Sequence, residues 1–200
     1  SCGAFVLASL SFLLATTLEK SERKAHFEGA GQYVVSQMQQ YFREYDEFSV
    51  MVRRFFDSSI LVTHQEFQRF VSEWLQQHPE VQAVEWATLV PQQQRQAWQQ
   101  KMFVDFGRPI TISEQNPQSD PPLKAAAERT EYLPLTYVAP MSSNKVVLGL
   151  DILTHVGEKE LLLRAVAHGK PVLSAPFKLI QASQQRPASF LYTPVYKLPI

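Results

Sequence analysis

The feature that most constrains the fold is a long stretch, residues 19–57, that contains no proline and only two glycines, Gly29 and Gly31. Apolar residues recur along its second half in steps of mostly three or four, at Val34, Val35, Met38, Tyr41, Phe42, Tyr45, Phe48, Val52, Phe55 and Phe56. This spacing predicts an amphipathic helix. A helix of about 35 residues would be roughly 50 Å long. Two interpretations stay open: a stalk that continues a membrane helix, or a long core helix of a monomer.

The residues before this stretch, 2–18, contain no charge and are followed by five charged residues within positions 19–24. About 17 apolar residues are the short end of what a membrane-spanning helix needs. The chain starts without methionine, so we expect residues 1–19 to be a truncated transmembrane helix. A cleaved signal peptide and a buried core helix are the alternatives, although the run lacks a basic segment at its start.

Composition excludes several classes of function. The 19 basic and 19 acidic residues cancel and form no basic stripe, so we expect no nucleic-acid partner. Cys2 is the only cysteine, and no Cys/His cluster has the spacing of metal ligands, so neither an intramolecular disulfide nor a metal site is predicted. No cofactor is predicted either. The hydrophobic content of 45% is ample for a core.

Beyond residue 57 the predicted elements alternate between helices and strands. Thr63 and Glu66 have the spacing of a capping box, and Gly169 stands where a helix cap is wanted. The predicted elements are a helix from Thr63, a strand at 81–90, a short helix at 92–100, a strand at 110–113, a hairpin of strands at 132–138 and 146–150, a helix at 158–168, and strands at 172–180 and 188–196. Strands adjacent in sequence usually pair, so an α+β fold with an antiparallel sheet is favoured.

The sequence does not predict an enzyme. Acidic and histidine residues are present, but none stands in a known catalytic spacing. Glu85 and Asp151 each lie within an apolar, strand-like run, so we expect either to be buried with a charged partner, for which Arg129 is a candidate. A structural ion pair is the more common outcome for such a carboxylate.

Five short blocks together resemble a known family. The blocks are VEWATLVP (84–91), AERTEYLPLTYVAP (127–140), NKVVLGLDI (144–152), GKPVLSAPFKLIQ (169–181) and YTPVY (192–196). They resemble CHASE domains in order and approximate spacing. The resemblance implies a long amino-terminal helix followed by tandem PAS-like units, of which this chain holds the membrane-distal one and a truncated second. It divides the chain into a membrane helix (1–19), a stalk helix (20–60) and a sensor domain (61–197).

The resemblance also implies a function. CHASE domains are extracytoplasmic sensors of receptors such as histidine kinases of two-component systems, nucleotide cyclases and diguanylate cyclases. We therefore expect a periplasmic domain, anchored in the inner membrane, that binds a small molecule and passes the change to a cytoplasmic kinase or cyclase. The stalk helix is expected to form a homodimer. The alternative is a ligand-independent scaffold or dimerisation module of such a receptor.

The resemblance assigns two candidate ligand-binding residues. Ser174 occupies the position of a threonine that contacts ligand in cytokinin receptors, and an ungapped match places Ser142 where those receptors have an aspartate that binds adenine. A serine lacks the charge for a strong paired contact, so cytokinin binding is not implied. The other residues expected to line the cavity are Tyr132, Thr136, Leu150, Phe177 and Thr193.

Overall fold

A computed structural model describes residues 31–33, 35–59, 61–116, 118, 122–155, 157–178 and 187–196. The predicted transmembrane helix at 1–19 and the first part of the stalk lie outside these ranges. Among the helices that are described, none combines the length and the hydropathy needed to cross a membrane. The chain divides into two units, Ser1–Met51 and Val52–Ile200.

The first described helix, α1, is helical over residues 31–33 and 35–57, so the predicted amphipathic helix is confirmed for this part. Phe48 is buried. Several other apolar side chains of the helix are exposed, namely Tyr33, Val35, Met38, Tyr41, Phe42, Val50 and Met51. Residues 52–57 of α1 belong to the second unit.

Helix α2, His64–Gln77, begins as predicted. The Thr63 hydroxyl accepts from the Glu66 backbone N–H, and the Glu66 carboxylate accepts from the Thr63 backbone N–H, which completes the capping box. Two side chains of α2, Phe67 and Val71, are fully buried. The last residues of α1, 52–57, pack here, because Phe55 stacks on Phe70 with ring centroids 4.3 Å apart.

The central strand pair joins β1, Val84–Ala87, to β6, Leu135–Ala139, in antiparallel register. Glu85 lies opposite Val138, and Trp86 lies opposite Tyr137. Because successive side chains of a strand point to opposite faces, the two pairs lie on different sides. Tyr137 packs towards α2, whereas Val138 belongs to the core. We call the side that carries Glu85 and Val138 the inner face.

The described fold also has four shorter antiparallel pairs and two further helices of more than ten residues. The pairs are β2 (Val90–Pro91) with β5 (Glu131–Tyr132), β3 (Ser113–Gln115) with β4 (Leu123–Ala125), β7 (Val172–Leu173) with β10 (Leu191–Tyr192), and β8 (Phe177–Lys178) with β9 (Pro187–Ala188). The helices are α3, Arg95–Phe106, and α5, Glu158–His168. The α+β class with a long amino-terminal helix and antiparallel pairing is therefore confirmed. A PAS-like arrangement stays a prediction.

The predicted hairpin of 132–138 with 146–150 is wrong for residues 146–148, and only residues 149–151 pair with the first strand. After β6 the chain forms a short helix α4, Met141–Asn144, and a 3₁₀ turn, Lys145–Val147. Fully buried Asn144 holds this turn, because its amide donates to the carbonyl oxygens of Pro140 and Gln82. Val147 enters the core from the turn. Residues 149–151 then return beside the start of β6, where Leu135 N–H donates to the Leu150 carbonyl and Gly149 N–H donates to the Leu135 carbonyl. The longer pairing of β6 is with β1.

The strand predicted at 110–113 begins only at Ser113, although Ile110 and Ile112 are buried in the core. Helix α5 has the predicted bounds, and Gly169 caps it in the left-handed conformation at φ 61°. Around these elements the core cluster consists of Val90, Trp98, Met102, Ile110, Ile112, Ala126, Tyr132, Leu135, Val138, Val147, Leu148, Leu150 and Ile152.

Candidate functional site

Tyr132, one of the predicted lining residues, is fully buried, and its hydroxyl is hydrogen-bonded within the protein. The hydroxyl contacts the Gln92 side-chain oxygen at 2.6 Å and accepts from the Arg129 backbone N–H at 3.0 Å. It also accepts from the Arg95 guanidinium at 3.0 Å. A hydroxyl with this many protein partners has no free lone pair or proton for a ligand. Tyr132 therefore fixes the packing of α3 against β5.

Thr136 and Leu150 are also buried, and their contacts are with other residues of the protein. The Thr136 hydroxyl accepts from the Trp98 indole N–H at 3.1 Å and lies 3.0 Å from the Thr88 hydroxyl. Leu150 is buried within the core cluster. Neither side chain presents an unused polar group.

Asp151 and Arg129 meet as the sequence suggested. Asp151 is completely buried, and its Oδ2 lies 3.5 Å from Arg129 Nη1. Its Oδ1 accepts from the backbone N–H groups of Leu133 and Leu153. The Arg129 guanidinium also binds Glu114, and this contact holds the pKa of Glu114 below its usual value. The network joins β3, β5 and the turn after β6, which is a structural role.

The two residues assigned by the resemblance differ in their surroundings. Ser142 lies exposed on α4. Ser174 is buried, but its hydroxyl accepts from the Phe190 backbone N–H at 2.8 Å and donates to the Ala175 carbonyl at 2.9 Å. The backbone N–H of Ser174 also donates to the Phe190 carbonyl. Ser174 thus extends the pairing of β7 with β10, while its contact with a ligand stays a prediction.

A row of aromatic rings runs beside Ser174. Phe177 lies 4.5 Å from Phe190 between ring centroids, and Phe190 lies 5.4 Å from Tyr192. His155 meets Phe177 edge-on at 5.6 Å. The structure therefore brings three predicted residues, Ser174, Phe177 and Thr193, to one region near the end of the described chain, apart from the buried network around Tyr132.

Next to this row lie oxygen atoms that have no hydrogen-bond partner within the described residues. They are Glu158 Oε2, the Tyr192 hydroxyl and Thr193 Oγ1, and all three atoms are shielded from solvent. Burial first, then hydrogen bonding with the Glu158 carboxylate, and then the charges of Glu158 and Glu85 raise the pKa of Tyr192. The Glu158 carboxylate is thus the immediate neighbour of the phenol.

The charge of Glu85, a residue of β1, also acts on this phenol. Its side chain lies on the inner face, since it pairs with Val138. Removal of the carboxyl from solvent raises the pKa of Glu85 to about 7, and no cationic group is among the influences on it. Within the part of the chain that the structure describes, the expectation of a charged partner for Glu85 is therefore not met. We call Glu85, Glu158 and Tyr192 the inner acidic site.

His155 lies at the edge of this site. Burial lowers its pKa, and the Glu158 carboxylate partly opposes that effect. The ring Nε2 lies 2.6 Å from the Gln115 amide nitrogen. The imidazole is therefore neutral at pH 7, with Nε2 as an acceptor, and adds no positive charge to the inner acidic site.

Sequence reasoning singled out Glu85 and Thr193 but missed Glu158 and Tyr192. Glu158 is the first residue of α5, where an acidic residue is also favoured by the helix dipole. Tyr192 has the character of an ordinary strand residue. No spacing signal joins these positions, because three separate elements bring them together. Within the described residues, no group of three or more histidine, cysteine or acidic side chains could hold a metal ion.

A family model of the CHASE domain matches residues 61–199 of the chain. This range contains every residue of the inner acidic site and all seven predicted lining residues. No curated protein matches the chain.

Proposed function

Because the chain belongs to the CHASE domain family of extracellular sensory domains of receptors, we propose that it binds a small molecule and passes a conformational change towards a membrane. CHASE is a sensory and non-catalytic domain, in agreement with the prediction that this chain is not an enzyme. The ligand, the route of the signal and the output are parts of the proposal.

One observation carries the proposal: adjacent residues of β1 face two different partners. Glu85 points to the inner acidic site, and Trp86 points to the opposite side of the sheet. There, Trp86 stacks on Phe56 of α1 with ring centroids 3.4 Å apart. A ligand that moves Glu85 therefore displaces the strand on which α1 rests.

This arrangement supports a two-state mechanism. A ligand shifts an equilibrium only when it binds one arrangement more tightly than the other. In the proposed mechanism, the ligand prefers the arrangement in which β1 approaches β10 and α5, and the Trp86–Phe56 stack converts that movement into a displacement of α1. The proposed output is a cytoplasmic histidine kinase, nucleotide cyclase or diguanylate cyclase, with the sensor in the periplasm and its anchor in the inner membrane.

A thermal-shift screen of the chain against amines, amino acids, purines and carboxylates tests ligand binding. At a hundredfold excess over its Kd, a ligand adds about 2.7 kcal/mol of stability. That would raise the Tm by several degrees. We expect at least one compound to raise the Tm. At 10 mM of each compound, even a ligand with a Kd of about 1 mM would give a visible shift. If no compound shifts the Tm at that concentration, a sensing role is contradicted.

Hydrogen exchange then tests the route of the signal. We expect the ligand to change protection of the α1 amides between residues 52 and 57 in the wild type. Trp86→Leu should bind the ligand but lose that change, whereas Phe103→Leu, which alters an exposed phenylalanine on α3, should keep it. An unchanged α1 response in Trp86→Leu would reject the proposed route.

Ligand-independent dimerisation is the second candidate. Met38, Tyr41 and Tyr45 follow one another in steps of three and four along α1, which is the heptad spacing of a coiled coil. Phe48 and Val52 continue the spacing but are already buried within the single chain. Met38 and Tyr41 are exposed in the single chain. We propose that a second copy of the chain covers them.

Sedimentation equilibrium tests this pairing. Met38→Glu should shift the wild-type dimer to a monomer, while Gln39→Glu, at an adjacent exposed polar position, should leave it dimeric. A dimer that dissociates only in Met38→Glu, in a chain that no compound stabilises, would favour the scaffold role. A monomeric wild type would reject pairing through α1.

A further inference from the structure

We propose that the hydroxyl proton of Tyr137 is a two-position switch for the corner between α1 and α2. Donated to the Val62 carbonyl, the proton holds the corner against β6; donated to the Asp105 carboxylate, it releases the corner. Lys101 selects the first position. The corner consists of residues 58–59 and 61–63. This conformational device lies outside the inner acidic site, and it operates with or without a bound ligand.

The ring of Tyr137 is fixed between two helices. Tyr137 lies opposite Trp86 in the strand register, on the side away from the inner face, and is only 3% exposed. Its ring centroid lies 5.8 Å from that of Phe67 on α2 and 6.5 Å from that of Phe106 on α3. The ring therefore has little freedom to turn, and its hydroxyl stays between the corner and α3.

Two acceptors compete for the one proton of this hydroxyl. The hydroxyl oxygen lies 2.6 Å from the Val62 carbonyl oxygen and 3.1 Å from Asp105 Oδ2. A backbone carbonyl and an ionised carboxylate can only accept, and a phenol has a single proton to donate. Burial first, and then the charge of Asp105 and hydrogen bonding with it, raise the pKa of Tyr137, so the phenol keeps this proton. The shorter contact places the proton on the Val62 side in this structure.

Lys101 decides between the two acceptors. Its Nζ lies 2.5 Å from Asp105 Oδ2 and 2.5 Å from the Tyr137 hydroxyl oxygen. Because an ammonium group only donates, Lys101 satisfies the carboxylate and leaves the phenol proton to Val62. Without Lys101, the carboxylate would lose its ion pair, and an ionised acceptor binds a hydroxyl proton more strongly than a neutral carbonyl does. The proton would then move to Asp105.

The corner depends on this bond because Val62 is buried, whereas its neighbour Leu61 is 66% exposed. A buried carbonyl that loses its donor is unfavourable, so the released corner would move until water reaches the Val62 oxygen. The end of α1 leads directly into the corner, where the Ser59 N–H donates to the Phe56 carbonyl. Release would therefore also loosen the last turn of α1.

Nuclear magnetic resonance can observe the Val62 carbonyl directly. A valine followed by a threonine occurs once in the sequence, at residues 62–63. Valine labelled with ¹³C at the carbonyl and threonine labelled with ¹⁵N therefore give a single carbonyl–amide correlation. A carbonyl that accepts a hydrogen bond resonates downfield of one that does not. Tyr137→Phe, which removes only the hydroxyl, should move this resonance upfield.

Lys101→Met should move the resonance in the same direction, although it removes no partner of Val62. The matched control is Lys159→Met, the same change at an exposed position of α5, and it should leave the resonance in place. Asp105→Ala removes the competing acceptor and should also leave it in place. The double variant of Lys101→Met with Asp105→Ala should return the resonance to its wild-type position, because the proton has only Val62 left to bind.

Hydrogen exchange supplies a second readout. The amides of Ser59 and Thr63 should exchange about tenfold faster in Lys101→Met, and at the wild-type rate in the double variant. A purely structural role for Lys101 predicts the opposite, because the double variant would then be at least as loose as Lys101→Met.

The outcomes separate the steps of the proposal. An unchanged resonance in Tyr137→Phe would overturn the bond to Val62. An unchanged resonance in Lys101→Met would overturn the selection by Lys101, and a double variant that stays shifted would overturn the competition for the proton. If Tyr137→Phe does not fold, Lys101→Met and the double variant carry the test. Because no ligand is added, a failure here leaves the proposed sensing function untouched.

Discussion

Phe56 of α1 and Trp86 of β1 stack face to face, with ring centroids 3.4 Å apart and an angle of 6° between their planes. The contact attaches the end of a long helix to the strand that carries Glu85 on its other side. One strand is thus shared by the inner acidic site and by the surface on which α1 rests. This relationship makes β1 the element in which ligand binding and helix movement would be coupled.

The stack should contribute measurably to stability. Phe56→Ala removes the ring contacts with Trp86 and Phe67, so we expect a loss of about 2–4 kcal/mol in the free energy of unfolding. Phe103→Ala, the same change at an exposed position of α3, should cost less than about 1 kcal/mol. Urea unfolding of both variants checks the difference. If Phe56→Ala and Phe103→Ala lose the same free energy of unfolding, the stack of Phe56 on Trp86 does not contribute to stability.

Glu85 should make the fold less stable as the pH rises. Its pKa is raised from 4.5 to about 7, so the native state holds a proton that the unfolded state releases, and stability falls between these two values. The full loss is at most about 3 kcal/mol, since the half-buried carboxylate keeps some solvent. Glu85→Gln should therefore gain stability over the wild type between pH 4.5 and pH 8.

Thermal unfolding across this pH range measures that gain. Glu128→Gln, at an exposed position, is the control and should follow the wild type at every pH. His155 titrates in all three proteins alike, so the differences between them isolate Glu85. A constant difference between Glu85→Gln and the wild type would show that the carboxyl is not buried in the way described.

Gly149 should not tolerate a side chain. Its backbone has φ +81°, and a Cβ at this position would collide with the Thr111 carbonyl oxygen. Gly107 has a similar φ of +66° but open space around it. Gly107→Ala should therefore cost about 1–2 kcal/mol from the left-handed backbone alone, and Gly149→Ala should cost clearly more. Similar unfolding midpoints for the two variants would contradict the tight approach of residues 149 and 111.

The buried ion pair should matter more than a surface pair. Asp151→Asn removes the charge that faces Arg129 and weakens acceptance from two backbone N–H groups, so we expect a loss of about 1–3 kcal/mol. Asp57→Asn breaks an exposed pair with Arg53 and should change stability by less than about 0.5 kcal/mol. Guanidinium unfolding compares the two, and an Asp151→Asn loss as small as that of Asp57→Asn would disprove the assignment.

Local signals allowed much of the helical structure to be predicted. The capping box at Thr63 and the cap at Gly169 mark helix ends through contacts within one turn, and the structure has both. The apolar spacing along α1 likewise reports a single helix face. An ion pair of Arg129 with either Glu85 or Asp151 was also predicted, by charge alone, and the tertiary structure selects Asp151.

Strand partners and the inner acidic site were decided by the tertiary structure. The apolar run 146–150 has the composition of a strand, yet a turn that the buried amide of Asn144 holds leaves only residues 149–151 beside the start of β6. The distant strand β1 makes the longer pairing with β6. Glu85, Glu158 and Tyr192 lie on three different elements. Composition and spacing determine which face of one element is apolar, but the environment of a carboxylate depends on which other elements pack over it, and that is set by contacts between residues distant in the chain.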